Sequence, residues 1–152
     1  MATTDQKLPA YRHSLAGTLL AAREAVMAPI RPYLREAGVT EQQWRVLRVL
    51  DESDADPTAL AEAALLFAPS VTRILKDLVD RGLILRHADP EDGRRSILSL
   101  TPAGRALIRK TSRRTVHVLD SYAEHFGAER LAKLQSELLA FARTISAAHE
   151  AE

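Results

Sequence analysis

The side chains best suited to chemistry in this chain form two groups within residues 69–101. The first group consists of Ser70, Thr72, Arg73 and Lys76, and the second consists of Asp92, Arg94 and Arg95. An arginine can donate two hydrogen bonds to guanine O6 and N7, whereas a lysine suits a phosphate, which positions a protein without specifying a base. An arginine at the tip of a turn can enter the minor groove. These residue types therefore predict contact with DNA.

A helix and a β-ribbon are predicted to hold these two groups. Pro69 opens the helix, Gly82 closes it, and its apolar stripe is formed by Val71, Ile74, Leu75, Leu78 and Val79. The first group lies off this stripe. Two short strands, Leu83–Arg86 and Ser96–Leu100, flank the turn-forming residues Asp89–Gly93. This order is typical of a winged helix-turn-helix, in which the recognition helix enters the major groove.

The tip of the ribbon leaves one assignment open. Asp92 and Arg94 are two residues apart, which places them on the same side of the ribbon if the strand is regular there. Both Arg94 and Arg95 are candidates for the minor groove. The upstream helix favours this interpretation over an ordinary charged turn.

The segment before these elements is predicted to be helical. A first helix covers about Tyr11–Glu36, with a kink or break at Pro29 and Pro32 because proline removes a backbone donor. Gly38 is a suitable C-terminal stop.

Two further helix starts precede the recognition helix. Thr40 and Gln43 form a capping box, and Asp54 or Asp56 starts a short helix over about 57–64 with proline in its first position. The residues expected to point inward are Trp44, Leu47, Leu50, Leu60 and Ala61.

The chain after the wing is predicted to form two long helices. One starts at Thr101–Pro102 and ends near Phe126, and Gly127 separates it from the last helix. The last helix carries an apolar stripe formed by Leu131, Leu134, Leu138, Phe141 and Ile145. The DNA-binding module is too small to cover these two helices and the first helix, so the three terminal helices predict a homodimer. An intramolecular helical pair is the alternative.

Composition limits the function classes. The chain has 152 residues and no cysteine, which excludes disulfides, thiol catalysis and cysteine-ligated metals. No apolar run approaches the ~20 residues of a membrane span. The segment Met1–His13 lacks the apolar core of a signal peptide, so we expect a cytoplasmic protein.

The net charge of +1 is a weak indicator of nucleic-acid binding, but the distribution of charge is more informative. Between Val49 and Thr72 there are five acidic residues and no basic one, namely Asp51, Glu52, Asp54, Asp56 and Glu62. From Thr101 to Arg114 there are five basic residues and no acidic one, namely Arg105, Arg109, Lys110, Arg113 and Arg114. A local basic patch is typical of a DNA-binding footprint, although solvated helix faces would give the same pattern.

Three segments resemble the MarR family of dimeric winged-helix transcription regulators. They are TEQQWRVLRVL at Thr40–Leu50, LAEAALLFAPSVTRILKDLVDRGLILR at Leu60–Arg86 and DPEDGRRSILSLTPAGRAL at Asp89–Leu107. The resemblance implies a mainly α fold with a small β-wing and one domain over 1–152. In that domain, about 40–101 is the DNA-binding lobe, and about 8–37 and 102–150 are dimerisation helices. It also implies an aspartate–arginine pair at the wing tip and a near-palindromic operator as partner.

Leu19–Leu50 and His125–Leu134 resemble one subgroup, the repressors of homoprotocatechuate or 4-hydroxyphenylacetate degradation operons. The implied function is repression of an aromatic-acid operon with release by a phenolic carboxylate. Such an effector needs a cation, a flat apolar wall and polar groups. The candidate residues are Arg12, His13, Arg23, Trp44, Arg48 and His117, although Trp44 is as well explained as a core residue.

Other functions remain as alternatives. They are regulation of another pathway, such as stress or efflux, and a helical interaction protein that does not bind DNA. We predict no enzyme, cofactor or metal site, because His125 and Glu129 lack a third ligand and no catalytic triad or nucleotide motif is present. One departure from the family pattern is Ala68, a poor N-cap where a polar residue is common.

Overall fold

The computed structural model describes residues 7–152. Residues 1–6, which belong to the predicted 1–152 domain and to the segment that lacks the core of a signal peptide, lie outside the described residues. The chain divides into two compact units, one ending at Thr111 and one formed by Ser112–Glu152. The boundary falls within a single long helix.

The described residues form seven α-helices and one antiparallel pair of strands. A 3₁₀ turn at Tyr11–His13 precedes α1 (Leu15–Met27), α2 (Arg31–Ala37), α3 (Glu41–Glu52), α4 (Pro57–Ala63) and α5 (Ala68–Asp80). The strands are β1 (Ile84–Ala88) and β2 (Ser96–Leu100), and the last two helices are α6 (Pro102–Phe126) and α7 (Ala128–Glu150). The mainly helical fold with a two-stranded wing is confirmed.

The N-terminal segment is broken twice, not once. The predicted break at Pro29 and Pro32 is confirmed, because a turn separates α1 from α2. The helix predicted from Tyr11 is wrong in its first turn: Ser14 has extended backbone and caps α1, accepting a hydrogen bond from the Gly17 N–H at 3.0 Å. A serine side chain competes with the backbone in this way and starts a new helix.

The capping box at the start of α3 is confirmed. The Thr40 hydroxyl accepts from the Gln43 N–H, and the Gln43 side chain accepts from the Thr40 N–H, both at 3.1 Å. Asp56 is the N-cap of α4 and accepts from the Ala59 N–H at 2.9 Å. Of the two aspartates that the sequence allows at this position, Asp56 and not Asp54 therefore starts the helix.

The core of the first unit is aliphatic and draws on α2 to α5 and both strands. Its most deeply buried members are Leu34, Val46, Leu47, Leu50, Leu60, Leu75, Leu78, Ile84 and Leu98. Ala61, predicted to be buried, is half-buried, because Leu60 already occupies the inward position and the next residue lies about 100° around the helix.

Three details of the helix–wing unit differ from prediction. The N-cap of α5 is Phe67, with no side-chain cap, so the helix begins one residue before Pro69 and Ala68 is its first residue. Strand β1 is Ile84–Ala88, because its register pairs Ile84 with Leu100 and Ala88 with Ser96. Leu83 instead donates to Leu78 O at 3.0 Å in the turn that closes α5.

Thr101 and Gly104 explain why the chain turns sharply from β2 into α6. The Thr101 hydroxyl donates to Gly82 O at 2.6 Å and accepts from the Gly104 N–H at 3.1 Å. A Cβ on Gly104 would lie 2.2 Å from Leu83 O and 2.7 Å from Leu100 Cδ1. Only glycine therefore fits the first turn of α6 against the strands.

The second unit contains the end of α6 and all of α7, and α7 has no buried residue. Leu131 is half-buried, and the stripe residues Leu134, Leu138, Phe141 and Ile145 are 43%, 39%, 41% and 41% exposed. In residues 7–152 no helix combines the length and apolar character that crossing a membrane requires.

Candidate nucleic-acid interface

Helix α5 presents one polar face. Ser70, Thr72, Arg73 and Lys76 are all exposed, whereas Leu75 and Leu78 are buried beneath them. Lys76 is engaged, since its Nζ donates to Asp80 Oδ2 at 2.6 Å, and this hydrogen bond raises the pKa of Lys76. Arg73 makes no ion pair with any described residue. Its guanidinium is therefore available to a partner.

One hydrogen bond attaches the back of α5 to α3, and an ion pair within α5 supports it. Gln43 is buried, and its Nε2 donates to Asp77 Oδ2 at 2.6 Å. Arg81 lies 3.6 Å from the same Asp77 carboxylate oxygen. The side chain that closes the capping box of α3 therefore also holds α5 in place.

The wing tip is a turn built around Asp92. Its Oδ1 accepts from the Arg94 N–H at 3.1 Å, and its carbonyl accepts from the Arg95 N–H at 3.0 Å. The prediction that a regular strand places Asp92 and Arg94 on the same side of the ribbon is wrong. Strand β1 ends at Ala88 and β2 begins at Ser96, so both residues lie in the turn between the strands. Asp92 contacts the backbone of Arg94 and not its guanidinium.

The two arginines of the tip have different surroundings. Arg95 donates to Asp56 Oδ2 at 2.5 Å, which joins the wing to the N-terminus of α4. Arg94 is exposed and forms no ion pair within the described part of the chain. The hydrogen bond from the Ala59 N–H, and then the contact with Arg95, lower the pKa of Asp56, so this carboxylate stays charged.

A second cluster of charge lies where α1, α2 and α3 meet. Arg31 donates to both oxygens of Glu24 at 2.7 Å and also to Glu41, and Arg23 donates to Glu41 at 2.5 Å. The hydrogen bond from Arg31 lowers the pKa of Glu24, and those from Arg23 and Arg31 lower the pKa of Glu41. Both carboxylates are therefore ionised near neutral pH.

The candidate effector residues occupy different settings. Arg23 is committed to Glu41, whereas the Arg48 guanidinium lies 5.9 Å from the centre of the Trp44 ring and has no ion pair with a described residue. Trp44 is 8% exposed and is mainly a core residue. Arg12 and His13 are exposed in the 3₁₀ turn. His117 is exposed on α6 in the second unit.

Sequence reasoning missed the roles of four residues in these surroundings. Asp56 was recognised only as a helix cap, and its pairing with Arg95 joins residues 39 apart. Glu41 and Arg31 gave no signal, because exposed ion pairs between helices leave no periodicity in the sequence. Phe67 lies just before α5 and carries no periodic signal, yet its side chain is 85% exposed.

Comparisons with known proteins agree with this helix–wing geometry. Residues 37–95 match the model of the MarR family. The chain is 36% identical over 126 residues to the HTH-type transcriptional regulator FarR of Neisseria gonorrhoeae, covering 82% of this chain and 86% of that protein. It is 38% identical over 122 residues to the homoprotocatechuate degradative operon repressor of Escherichia coli, covering 80% and 82%.

A solved structure agrees with these relatives. The crystal structure of NadR in complex with 4-hydroxyphenylacetate superimposes with a TM-score of 0.79 at 34% identity, covering 90% of this chain and 97% of that chain. The family model matches residues 37–95, the relatives cover about four-fifths of the chain, and the winged-helix geometry agrees with both. The chain therefore belongs to the MarR family of transcriptional regulators.

Proposed function

We propose that this protein is a dimeric, cytoplasmic, non-enzymatic repressor that binds operator DNA of an aromatic-acid degradation operon and is released by a phenolic carboxylate. The observation that carries the DNA-binding part is the exposed polar face of α5 beside a wing whose Arg94 has no ion pair among the described residues. The relatives' names, an operon repressor and a helix-turn-helix regulator, support the regulatory class.

Each polar residue of the interface has a distinct role. Arg73 lies in the part of the recognition helix that reaches base edges and can bind guanine with two hydrogen bonds. Ser70 and Thr72 donate to bases or phosphates nearby. Lys76 contacts phosphate, exchanging Asp80 for the DNA backbone. An exposed pair of this kind is weak, so the exchange costs little.

Arg94 enters the minor groove and Arg95 supports the wing. Asp56 holds Arg95, whereas Asp92 shapes the tip through its hydrogen bond to the Arg94 backbone and leaves that guanidinium unengaged. This assignment chooses between two arginines that the sequence could not separate.

A homodimer supplies a second DNA-binding surface, which is contributed by the second copy of the chain. The exposed stripe of α7 gives the second unit a large apolar surface, which is costly to leave in water. A two-fold dimer presents two recognition helices, so the operator is a near-palindrome.

The effector is a small aromatic acid whose carboxylate binds Arg48 beside Trp44. Arg48 fits this role better than Arg23, because the carboxylate would have to displace Glu41 from Arg23. The similarity to a homoprotocatechuate operon repressor and to NadR, solved with 4-hydroxyphenylacetate, supports this ligand class. Arg12, His13 and His117 are the further polar candidates.

Release requires that the ligand prefer a conformer that binds DNA poorly, since equal affinity for both conformers shifts nothing. A tenfold loss of operator affinity requires about 1.4 kcal/mol of differential binding. Gln43 offers a route between the two sites. It lies next to Trp44 on α3 and hydrogen-bonds to Asp77 on the recognition helix.

The test is an equilibrium titration of a labelled operator, first selected from random duplex DNA by the full-length protein, with and without 4-hydroxyphenylacetate. We expect one preferred near-palindrome and at least tenfold weaker binding at saturating acid. Arg48→Ala should bind the operator normally but lose the response, while Arg35→Ala, which removes an exposed arginine from α2, should retain it. An operator affinity that is unchanged by phenolic acids would remove the sensing role and leave the DNA-binding role in place.

A further inference from the structure

The turn that leads into the recognition helix carries two large apolar side chains in water. Leu65 is 78% exposed and Phe67 is 85% exposed, whereas Leu75 and Leu78 of the helix that follows are buried. Leu66, between them, is half-buried and points inward. The alternation leaves Phe67 outside, at the N-cap of α5.

This turn is held in place by hydrogen bonds on three sides. Arg45 of α3 donates to Ala64 O at 2.8 Å, and Leu66 donates from its N–H to Ala61 O at 2.9 Å. The Phe67 carbonyl accepts from the Ser70 N–H at 3.1 Å. Leu65 has a φ of +54°, a left-handed conformation that is strained for leucine. The turn therefore fixes an exposed aromatic ring at the N-terminus of α5, two residues after a strained backbone position.

We propose that Phe67 reads thymine in the major groove, by packing its ring against a thymine C5-methyl group in each operator half-site. Residues at the N-terminus of a recognition helix face base edges, and Phe67 directly precedes that first turn. Thymine alone presents a methyl group there, and an apolar side chain is its matching contact. This inference rests on the proposed operator binding and adds a specificity-determining residue to it.

The chemistry of the contact distinguishes Phe67 from the polar residues of α5. A phenyl ring offers no hydrogen bond, so Phe67 cannot recognise guanine or a phosphate oxygen. Removing the methyl group while keeping every hydrogen-bonding atom should therefore abolish its contribution. Deoxyuridine in place of thymidine makes this change.

The experiment is a scan of the selected operator in which each thymidine is replaced by deoxyuridine, read by equilibrium titration with full-length protein. At one thymine in each half-site, wild type should lose about fourfold in affinity per methyl, which corresponds to about 0.8 kcal/mol for one buried carbon. Phe67→Ala should be indifferent to uracil at that position, whereas Phe67→Leu should remain sensitive. Leu85→Ala, which removes a half-exposed leucine from β1, should behave as wild type.

Three results would overturn the inference in distinguishable ways. Wild type that is indifferent to uracil at every thymine would exclude a methyl contact while operator binding stood, as expected if Phe67 served a protein partner. Equal uracil sensitivity in wild type and Phe67→Ala would assign the methyl to another residue. Failure of wild type to select any DNA sequence would overturn the proposed function and this inference together.

Discussion

The two units of this protein differ in how far they bury their apolar residues. The first unit closes a core around nine large side chains that are at most 2% exposed, and it pairs many of its exposed charges, although α1 leaves apolar side chains in water. The second unit buries nothing on α7 and leaves four large residues of one stripe about two-fifths exposed. A closed core is sufficient for a fold, whereas exposed apolar helix faces need a partner, so we propose that the core of the first unit serves DNA recognition and that the second unit, with α1, serves assembly.

The most severe test of this comparison is removal of residues Leu131–Glu152. We expect complete loss of dimer and of high-affinity operator binding, because one recognition helix alone cannot occupy both half-sites. The remaining chain should keep a cooperative thermal transition, since the core residues lie outside the deleted segment.

Light scattering and calorimetry would measure these effects. Leu134→Lys with Leu138→Lys is a milder matched change and should also give a monomer. A monomeric wild type at micromolar concentration would contradict the division of roles.

Crowding in the first unit can be tested at Gly104. Gly104→Ala should lower the free energy of unfolding by about 3 kcal/mol, near the upper end for overpacking, because the new Cβ meets Leu83 O. Gly93→Ala is the control and should be nearly neutral, since a Cβ added there would have no atom within 4 Å. Urea denaturation of the two variants gives the comparison, and equal stability would show that α6 moves away easily.

Substitutions in the wing test whether one arginine of its tip binds DNA while the other supports the fold. Arg94→Ala should weaken operator binding by about 2 kcal/mol without changing stability, because its guanidinium has no ion pair among the described residues to lose. Arg95→Ala should cost less binding and only slightly lower the stability, because the ion pair that it removes is exposed. Operator titrations and thermal melts of both variants measure these losses. A larger loss of operator affinity in Arg95→Ala than in Arg94→Ala would place Arg95 in the minor groove.

The smallest expected effect is a pH dependence from the ion pairs of α1, α2 and α3. Arginine contacts lower the pKa values of Glu24 and Glu41 from their ordinary 4.5, so the stabilisation is complete above that pH and is lost as the pH falls through the lowered values. Glu41→Gln should therefore flatten the fall in Tm between about pH 5 and pH 2. Glu62→Gln removes an exposed carboxylate without an ion pair to a described residue and should follow wild type. Identical profiles for all three proteins would rule out this contribution.

Periodic and local features were predictable because each depends on neighbouring residues. The capping box of Thr40 and Gln43, the inward face of α5 and the limits of β2 follow from spacings of two to four residues. The family resemblance rested on such local motifs, and it is confirmed by relatives that match four-fifths of the chain.

Only the tertiary structure decided which charges are engaged. The sequence placed Arg23, Arg48, Arg94 and Arg95 in candidate sites on equal terms. The fold pairs Arg23 with Glu41 and Arg95 with Asp56, across 18 and 39 residues, and leaves the other two without an ion pair to a described residue. An ion pair between distant elements depends on chain reversal and core packing, neither of which leaves a pattern near the charged residue. Residue types and local periods thus determined the fold class and the family, and packing determined which arginines are available to bind.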